Sequence, residues 1–286
     1  MKMKIIPAAV TLLLFIASCQ KEIDWGTGGT VISGQRLVMI KSKTGTTDTT
    51  QVEYFYDAAG RLVREKTTGV AGGMSLDNDL VIKRNGSGII TVTVQKSPAL
   101  VAAGIDSVET RYNYNTGTSR YTSSVFALSI MGFSVTDSAV YTYDGAGKIT
   151  KDEHYLQSAG LPIPLPPVLS ARNIYDYSSD GKNLLSVSTE AAIPPSTTLS
   201  PATSQTYIMD TKVSPLIILN EAVLLIRPGL FSANNAIRAA VTNTADPSQD
   251  FTMDYVIKYN SSNKPDSSYG TRSPGGAVTA TKYYYQ

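Results

Sequence analysis

Polar and apolar residues alternate along most of the chain in short runs, and each run ends in residues typical of turns. In YFYDAAGRL, residues 54–62, aromatic residues precede an Asp, a Gly and an Arg, after which the apolar pattern resumes. Successive side chains of an extended chain point to opposite faces, so this alternation predicts β-strands. The residues between the runs predict a tight turn, because an Asp carboxylate accepts backbone N–H bonds and Gly tolerates positive φ.

This unit of strand, turn and strand recurs along the chain. YTYDGAGKI, residues 141–149, repeats it closely, and looser copies occupy 175–184 and 255–264. Asn85-Gly86, between two β-prone runs, predicts a further hairpin. Together these units predict an all-β fold, an antiparallel meander of hairpins that forms a curved sheet or a half-open barrel.

Two Pro-rich stretches, 161–170 and 193–204, are predicted to be long loops, because proline lacks the amide hydrogen that a strand ladder needs. One apolar stretch does not alternate, and a short helix is predicted within it near 216–226. The remaining pattern predicts strands near 36–43, 50–57, 61–67, 79–84, 89–95, 106–115, 121–127, 135–144, 148–156, 170–178, 183–189, 204–210, 236–242, 250–260, 266–271 and 277–285.

The N-terminus has the features of an export signal. Two lysines precede an apolar run over 5–16, and small residues lead into Cys19, the only cysteine of the chain. This arrangement is typical of a secretory signal and is too short to span a bilayer as a mature helix. The stretch IASC resembles the lipobox of bacterial lipoproteins, which implies that Cys19 is acylated and becomes the new N-terminus. The alternative, an ordinary signal peptide, leaves a free thiol unexplained.

These features predict a cleaved signal peptide over 1–18, a lipidated cysteine with a flexible tether over 19–34, and a single β-rich domain over 35–286. Each buried methylene of an acyl chain contributes roughly 0.8 kcal/mol, so two or more chains anchor a protein stably. QKEID after Cys19 resembles the export tag of Bacteroidetes surface lipoproteins. We therefore predict an outer-membrane lipoprotein at the cell surface, with the periplasmic face of that membrane as the alternative.

Further residues resemble Bacteroidetes lipoproteins of unknown function. Those proteins combine a lipobox, YxYDxxGK hairpins, a proline followed by an apolar segment, and a later Asn pair. The corresponding pieces here are Cys19, residues 141–149, VSPLI at 213–217, and Asn234-Asn235. The hairpins also resemble the YD repeats of Rhs-type proteins. The resemblance implies a porin-like curved sheet of unknown activity.

The outer face of the predicted sheet is too polar for a barrel that spans a membrane, which needs an apolar band about 25 Å tall. TRYNYN at 110–115 and SSVFALS at 123–129 place Thr, Ser and Asn on both faces. The net charge is only +2 with no basic stripe, so no nucleic-acid partner is predicted. A curved sheet surrounded by water is the simpler prediction.

The chain carries few residues that could perform catalysis. His154 is the only histidine, and no G-x-S-x-G nucleophile elbow accompanies it. With one histidine and one lipidated cysteine, neither a zinc site nor a transition-metal site is predicted. The carboxylates of Asp57, Asp144, Asp176 and Asp180 could pair in a glycosidase, but all four are predicted to lie in turns, where backbone bonding explains them. We predict no enzyme, no catalytic residue, no metal and no cofactor.

Tyrosine is the residue in excess, with 17 copies. Rings on an exposed sheet face could bind a glycan or peptide, whereas cross-strand pairing would stabilise the sheet by about 0.2–1 kcal/mol per pair. The predicted function is a binding or interaction module of unknown ligand. The alternatives are a structural surface protein that associates through sheet edges and a carrier of an apolar ligand in the concave face. The candidate ligand-binding residues are Tyr54, Tyr56, Tyr141, Tyr143, Tyr175 and Tyr177.

Overall fold

The strands of this computed structural model form a closed antiparallel barrel. The structure describes residues 36–130, 133–159, 165–192, 197–216 and 232–286. Within these ranges sixteen strands follow one another as hydrogen-bonded neighbours, and the last pairs with the first. In chain order β1 to β16 are Leu37–Thr44, Asp48–Tyr56, Leu62–Ala71, Met74–Arg84, Ile90–Lys96, Val108–Asn115, Arg120–Ile130, Phe133–Tyr143, Ile149–Ala159, Leu165–Tyr177, Leu184–Ala191, Ser200–Val213, Asn234–Asn243, Phe251–Tyr259, Pro265–Ser273 and Val278–Tyr285.

The predicted all-β antiparallel meander is confirmed, and each predicted strand overlaps an observed one. The sheet closes completely, where the sequence had allowed a half-open barrel. The closing pair β16–β1 runs from Leu37 opposite Tyr285 to Thr44 opposite Thr279, and the hydroxyls of the latter pair are 2.8 Å apart. Closure removes the free edges that an open sheet would present.

The Pro-rich loops are shorter than predicted, because β10 already includes Pro166 and Pro167 and β12 includes Pro201. Strand registers shift beside these prolines, and such bulges are where a ladder tolerates a missing amide hydrogen. The helix predicted near 216–226 lies almost entirely outside the described residues.

One short α-helix, α1 (Pro98–Ala102), is present in the described ranges and was not predicted. Ser97 caps it by accepting a hydrogen bond from Leu100 N at 3.3 Å, and Pro98 occupies the first turn. A Ser-Pro pair is a typical helix start, but a five-residue helix is too short to show an apolar periodicity. No helix among the described residues is long and apolar enough to cross a bilayer.

Six tight turns, each joining an even-numbered strand to the next strand of the chain, lie at one end of the barrel, which we call the tight-turn end, although short turns at 45–47 and 72–73 lie at the opposite end. The chain enters the barrel at this end, where Arg36 N donates to Gln286 O at 2.6 Å. Residues before Arg36 therefore join the barrel beside the tight turns. The opposite end is called the loop end. The tight turns cover residues 57–61, 85–89, 116–119, 144–148, 178–183 and 260–264.

The repeated Asp and Gly have the roles that the sequence indicated. Asp144 accepts hydrogen bonds from the backbone of Ala146 and Lys148 at 2.9 and 2.8 Å. Gly147 has a φ of +86°, which L side chains rarely adopt. A Cβ at Gly147 would also lie 2.9 Å from Nη2 of Arg120, so a basic side chain occupies the space that glycine leaves.

The inner face of the wall carries the core. Alternate residues of each strand point inward, and at the tight-turn end they pack as a cluster of aliphatic and aromatic side chains. Burial of this surface is the main favourable term for the fold, because the chain has no disulfide. The buried members are Leu37, Tyr54, Leu62, Ile82, Ile90, Tyr112, Tyr121, Ala139, Tyr141, Ile149, Tyr175, Leu184 and Val187.

Candidate functional site

The tyrosines singled out by the sequence lie inside the barrel. Tyr54, Tyr141 and Tyr175 are 5%, 7% and 4% exposed and belong to the core cluster. Their neighbours two residues further along face the same way and pack against that cluster. Ligand binding by these rings on an exposed sheet face has no support from their placement, because the interior of the barrel encloses them.

The second tyrosine of each pair donates a hydrogen bond to the preceding strand. Tyr56 Oη lies 2.6 Å from Leu37 O, and Tyr143 Oη lies 2.6 Å from Tyr121 O. Each acceptor begins or nearly begins its strand, so the phenol joins two strands at the tight-turn end. The same geometry recurs for Tyr177 with Ile149 at 3.0 Å and for Tyr285 with Pro265 at 2.7 Å.

A basic side chain lies over each of these rings. The guanidinium carbon of Arg36 is 5.0 Å from the ring centroid of Tyr56, and that of Arg120 is 5.1 Å from Tyr143. Such cation–π contacts contribute about 0.5–1 kcal/mol at exposed sites. The tyrosine is thus held at its face and at its hydroxyl. The same contact joins Lys148 to Tyr177 at 5.7 Å and Lys264 to Tyr285 at 5.5 Å.

His154 lies on the inner face of β9 between two carboxylates. Its Nδ1 is 2.9 Å from Asp137 Oδ2, and its Nε2 is 3.3 Å from Asp152 Oδ1 without the alignment of a hydrogen bond. The side chains of His154 and Asp152 are 2% and 0% exposed. Asp152 also accepts hydrogen bonds from Asn173 Nδ2 at 2.8 Å and Tyr175 Oη at 2.6 Å. We call Asp137, His154, Asp152 and Asn173 the buried cluster.

The buried cluster keeps the imidazole charged. Burial is the largest single effect on the pKa of His154 and lowers it, but the two carboxylates together outweigh burial and raise that pKa to about 10. At neutral pH both ring nitrogens therefore carry protons. An imidazolium cannot accept a proton from a nucleophile, so His154 is unsuited to act as a general base.

Sequence reasoning treated His154 as an ordinary strand residue and missed this cluster. Alternation in KDEHY does place Asp152 and His154 on one face. The other members, Asp137 and Asn173, come from neighbouring strands opposite Leu156 and Asp152. Their approach depends on strand register, which the sequence pattern does not fix.

The outer face of the wall carries ion pairs between neighbouring strands. Arg64 on β3 binds Asp79 on β4 through two contacts of 2.7 and 2.8 Å. Arg172 on β10 joins Glu153 on β9 at 2.8 Å and Glu190 on β11 at 3.1 Å. A fourth example, Arg238 with Asp254, links β13 to β14 at 3.5 Å.

An open groove of about 580 Å³ lies on the outer face where the barrel closes. Ile40 and Tyr283 pack against the core cluster, so by alternation Lys41 and Lys282 face outward. We call this feature the lysine groove. Three lysines and one acidic residue line it, together with hydroxyl and amide side chains. Its lining residues are Lys41, Ser42, Lys43, Thr49, Thr50, Gln51, Thr68, Gly69, Asp266, Ser267, Tyr269, Ala280, Thr281 and Lys282.

No protein-family model matches the chain, and no curated protein is similar to it in sequence. Two solved structures share its fold. One is a porin-like protein from Bacteroides uniformis, with a TM-score of 0.50 and 13% identity over 87% of this chain and 98% of that one. The other is a porin-like protein from Bacteroides vulgatus, with a TM-score of 0.51 and 10% identity over 88% and 99%.

This chain resembles porin-like barrels. At such identities the likeness shows the fold alone. It agrees with the porin-like sheet that the sequence resemblance implied, and it extends over nearly the whole of both structures. The predicted lipidation site, Cys19, lies outside the described residues, so lipidation stays a prediction.

Proposed function

We propose that the protein is a non-enzymatic binding module of the bacterial cell envelope, anchored by lipid at Cys19, with a barrel that stands in water. The single observation that carries this proposal is the outer face of the wall. A barrel embedded in a bilayer turns apolar side chains outward, and a charged side chain at the bilayer midplane costs about 2–4 kcal/mol. Here the outward charges lie at the middle of the strands.

The position of the charges is the decisive part of the argument. Lys66 lies at the centre of β3, Asp79 at the centre of β4, and Asp254 at the centre of β14. No placement of a 25 Å apolar band along these strands avoids such residues. The buried apolar cluster lies on the inner face, and the exposed apolar residues of the outer face, such as Val140 and Val256, are interspersed with these charges, which is the arrangement expected of a barrel with a packed core in water.

The envelope location rests on two supports. IASC at 16–19 resembles a lipobox, and the two structures with this fold are described as porin-like proteins of Bacteroides. The chain joins the barrel at Arg36, so the tether from a lipid on Cys19 would attach at the tight-turn end of the barrel.

The other predicted functions receive less support. Association through sheet edges lacks an edge, because every strand in the described barrel has two neighbours. A carrier of an apolar ligand would need a dry interior, whereas core side chains occupy the tight-turn end and the imidazolium of His154 lies further along the inner face. His154, the only histidine, carries a proton on both ring nitrogens at neutral pH and is unsuited to general-base catalysis, which favours a non-enzymatic role.

The proposal is tested by separating the anchor from the barrel. In one variant, residues 1–18 are replaced by the signal peptide of a soluble secreted protein and Cys19→Ser removes the acylation site. We expect this variant to be soluble and monodisperse without detergent, with the far-UV circular dichroism of a β-protein. The unaltered chain, in contrast, should fractionate with the outer membrane. Retention of the variant in carbonate-washed membranes would show that the barrel itself inserts in lipid.

A further inference from the structure

The lysine groove holds an electrostatic conflict that the rest of the outer face avoids. Lys41 on β1 and Lys282 on β16 are direct partners across the closing pair of strands. Like charges in such positions destabilise a sheet, since opposite residues have their Cβ atoms only about 4.5–5.5 Å apart. Lys43, two residues along on the same face, brings a third positive charge to the groove.

These cations are not neutralised by the described part of the chain. Elsewhere on the wall Arg64, Arg172 and Arg238 each bind a carboxylate of a neighbouring strand. Lys41, Lys43 and Lys282 form no ion pair with a described residue, and Lys41 instead has its ammonium 5.7 Å from the ring of Tyr284. The only carboxylate in the lining, Asp266, leaves an excess of positive charge.

The rest of the lining is suited to hydroxyl groups. Strand pairing places Ser267, Lys282, Lys41, Gln51 and Thr68 in one continuous row across five strands. Hydroxyl and amide side chains can both donate and accept hydrogen bonds, which is what recognition of a polyhydroxylated molecule requires. The next row begins with Tyr269, which is 47% exposed; the ammonium of Lys258 lies 5.8 Å from the centroid of its ring, and the other face of the ring could stack on a sugar.

The shape of the groove agrees with an extended ligand. Its volume of about 580 Å³ falls within the range of ligand sites, and it lies open along the wall of the barrel. Gly69 borders it with a φ of +143°, and a Cβ there would lie 1.9 Å from Thr49 O. Glycines within strands mark close backbone approaches, so Gly69 lets β3 lie close to β2 beside the groove.

We propose that the lysine groove binds an acidic polysaccharide, a sugar chain that carries carboxylate or sulfate groups. The lysines would bind the anionic groups, the row of Ser, Gln and Thr would bind the hydroxyls, and Tyr269 would cover one sugar face. A protein partner is disfavoured because such interfaces have an apolar centre. A membrane surface is disfavoured because Lys43 is close to the loop end, away from the residue at which the chain enters the barrel.

This inference rests on the proposed function, because a groove on the outer face is open to a sugar chain only if the barrel stands in water. The test uses the mature chain with Cys19→Ser and affinity electrophoresis through gels that contain one polymer each. The polymers are polygalacturonate for carboxylates, dextran sulfate for sulfates, neutral dextran, and polyglutamate as an acidic chain without sugar.

We expect retardation by at least one acidic polysaccharide, weakened by added salt through screening, and none by neutral dextran. Changing Lys41→Gln and Lys282→Gln together should lower the affinity at least about tenfold. The matched control is Lys66→Gln with Lys151→Gln, which removes the same charge from lysines that already contact carboxylates. That control should change the affinity less than about twofold, since the site is local.

Three results would overturn the inference. The first is a folded, soluble chain that binds neither acidic polysaccharide. The second is a sign that net charge alone explains the binding. The control variant would then lose as much affinity as the groove variant, or polyglutamate would retard the chain as strongly as the acidic polysaccharides do. The third is binding to phosphatidylglycerol vesicles through Lys41 and Lys282 while both polysaccharides fail. If the chain instead needs detergent to stay in solution, the proposed function fails, and that outcome is visible before any polymer is added.

Discussion

Two groups of charge lie on opposite faces of the barrel wall, and they differ in how fully the chain neutralises them. Inside, the imidazolium of His154 lies between Asp137 and Asp152, out of contact with water. Outside, Lys41 lies opposite Lys282 in the lysine groove, and neither has an ionic partner among the described residues. A buried charge that lacked partners would unfold the protein, whereas an exposed one is tolerated at small cost.

This difference indicates that the buried cluster stabilises the fold and that the lysine groove is the candidate binding site. In the buried cluster each charged group lies within ion-pair distance of an opposite charge, so we expect its members to act mainly on stability. The lysine groove keeps like charges together at a cost in stability, which is the pattern expected where a site is kept for binding. Substitutions in the two places should therefore move stability in opposite directions.

The largest effect is expected for His154→Gln. Removing one partner of a buried ion pair costs about 3–5 kcal/mol, because it leaves a buried carboxylate uncompensated. The matched control is the preceding residue on the same strand, Glu153→Gln, which breaks a partly exposed pair with Arg172 on the outer face and should cost about 1 kcal/mol. Urea unfolding followed by circular dichroism measures both. If the two variants lose the same free energy of unfolding, the ion pairs of the inner and outer faces do not differ in their contribution to stability.

The buried cluster also predicts a dependence of stability on pH. The pKa of His154 is raised in the folded state, from an unfolded value of 6.5 to about 10. Its contribution is therefore fully present below pH 6.5 and is lost as the pH rises towards 10, by up to about 1.4 kcal/mol per pH unit. Unfolding free energies measured across this window should fall with pH in the wild type and fall less steeply in His154→Gln. Parallel curves would contradict a charged imidazole.

At the tight-turn end, Gly147→Ala should cost about 1–2 kcal/mol, the penalty of a left-handed backbone for an L residue. The added methyl group also meets Arg120, which lies over the ring of Tyr143. Gly145→Ala in the same turn is the control, since no atom lies within 4 Å of its Cβ position and its φ is not positive. The measurement is the difference in urea midpoint between the two variants. Equal midpoints would contradict the claim that the turn requires glycine at position 147.

The smallest effect has the opposite sign. Lys282→Gln should raise the free energy of unfolding by about 0.2–1 kcal/mol, because it relieves the repulsion from Lys41 across the strand pair. The gain should shrink in high salt as the wild-type repulsion is screened. Thermal unfolding at low and high salt measures it. A loss of stability in both conditions would show that Lys282 stabilises the fold. The lysine groove and the buried cluster would then not differ in their effect on stability.

Much of the fold could be predicted because its rules are local. Tyr alternation, the carboxylate of Asp144 and the positive φ of Gly147 act within one hairpin, so strands and turns followed from the sequence. The basic residue after each turn glycine was noticed without a role. The structure explains it: a Cβ at Gly88 would lie 2.1 Å from Nη1 of Arg61, and one at Gly181 would lie 1.2 Å from Nζ of Lys148. Arg61, Arg120 and Lys148, which lie in or directly after a turn, thus cover the glycines Gly88, Gly147 and Gly181 of the turn that follows.

The candidate sites could not be predicted, because they depend on pairing between distant segments. Closure brings β1 next to β16, and only this pairing places Lys41 opposite Lys282. The buried cluster likewise needs the register of three strands. The direction of the tyrosines was left open by the sequence, since alternation shows that Tyr54 and Tyr56 share a face without showing which face is inside.

The most direct test of the account asks whether the middle of the wall meets water or lipid. Asp254→Cys places a thiol at the centre of β14 on the outer face of the wall, and the acylation that we propose for Cys19 would leave no second free thiol. In isolated outer membranes we expect this thiol to react with a charged, membrane-impermeant maleimide at the same rate before and after detergent is added. Protection that ends only when detergent dissolves the membrane would show that the wall lies in the bilayer and would contradict the account.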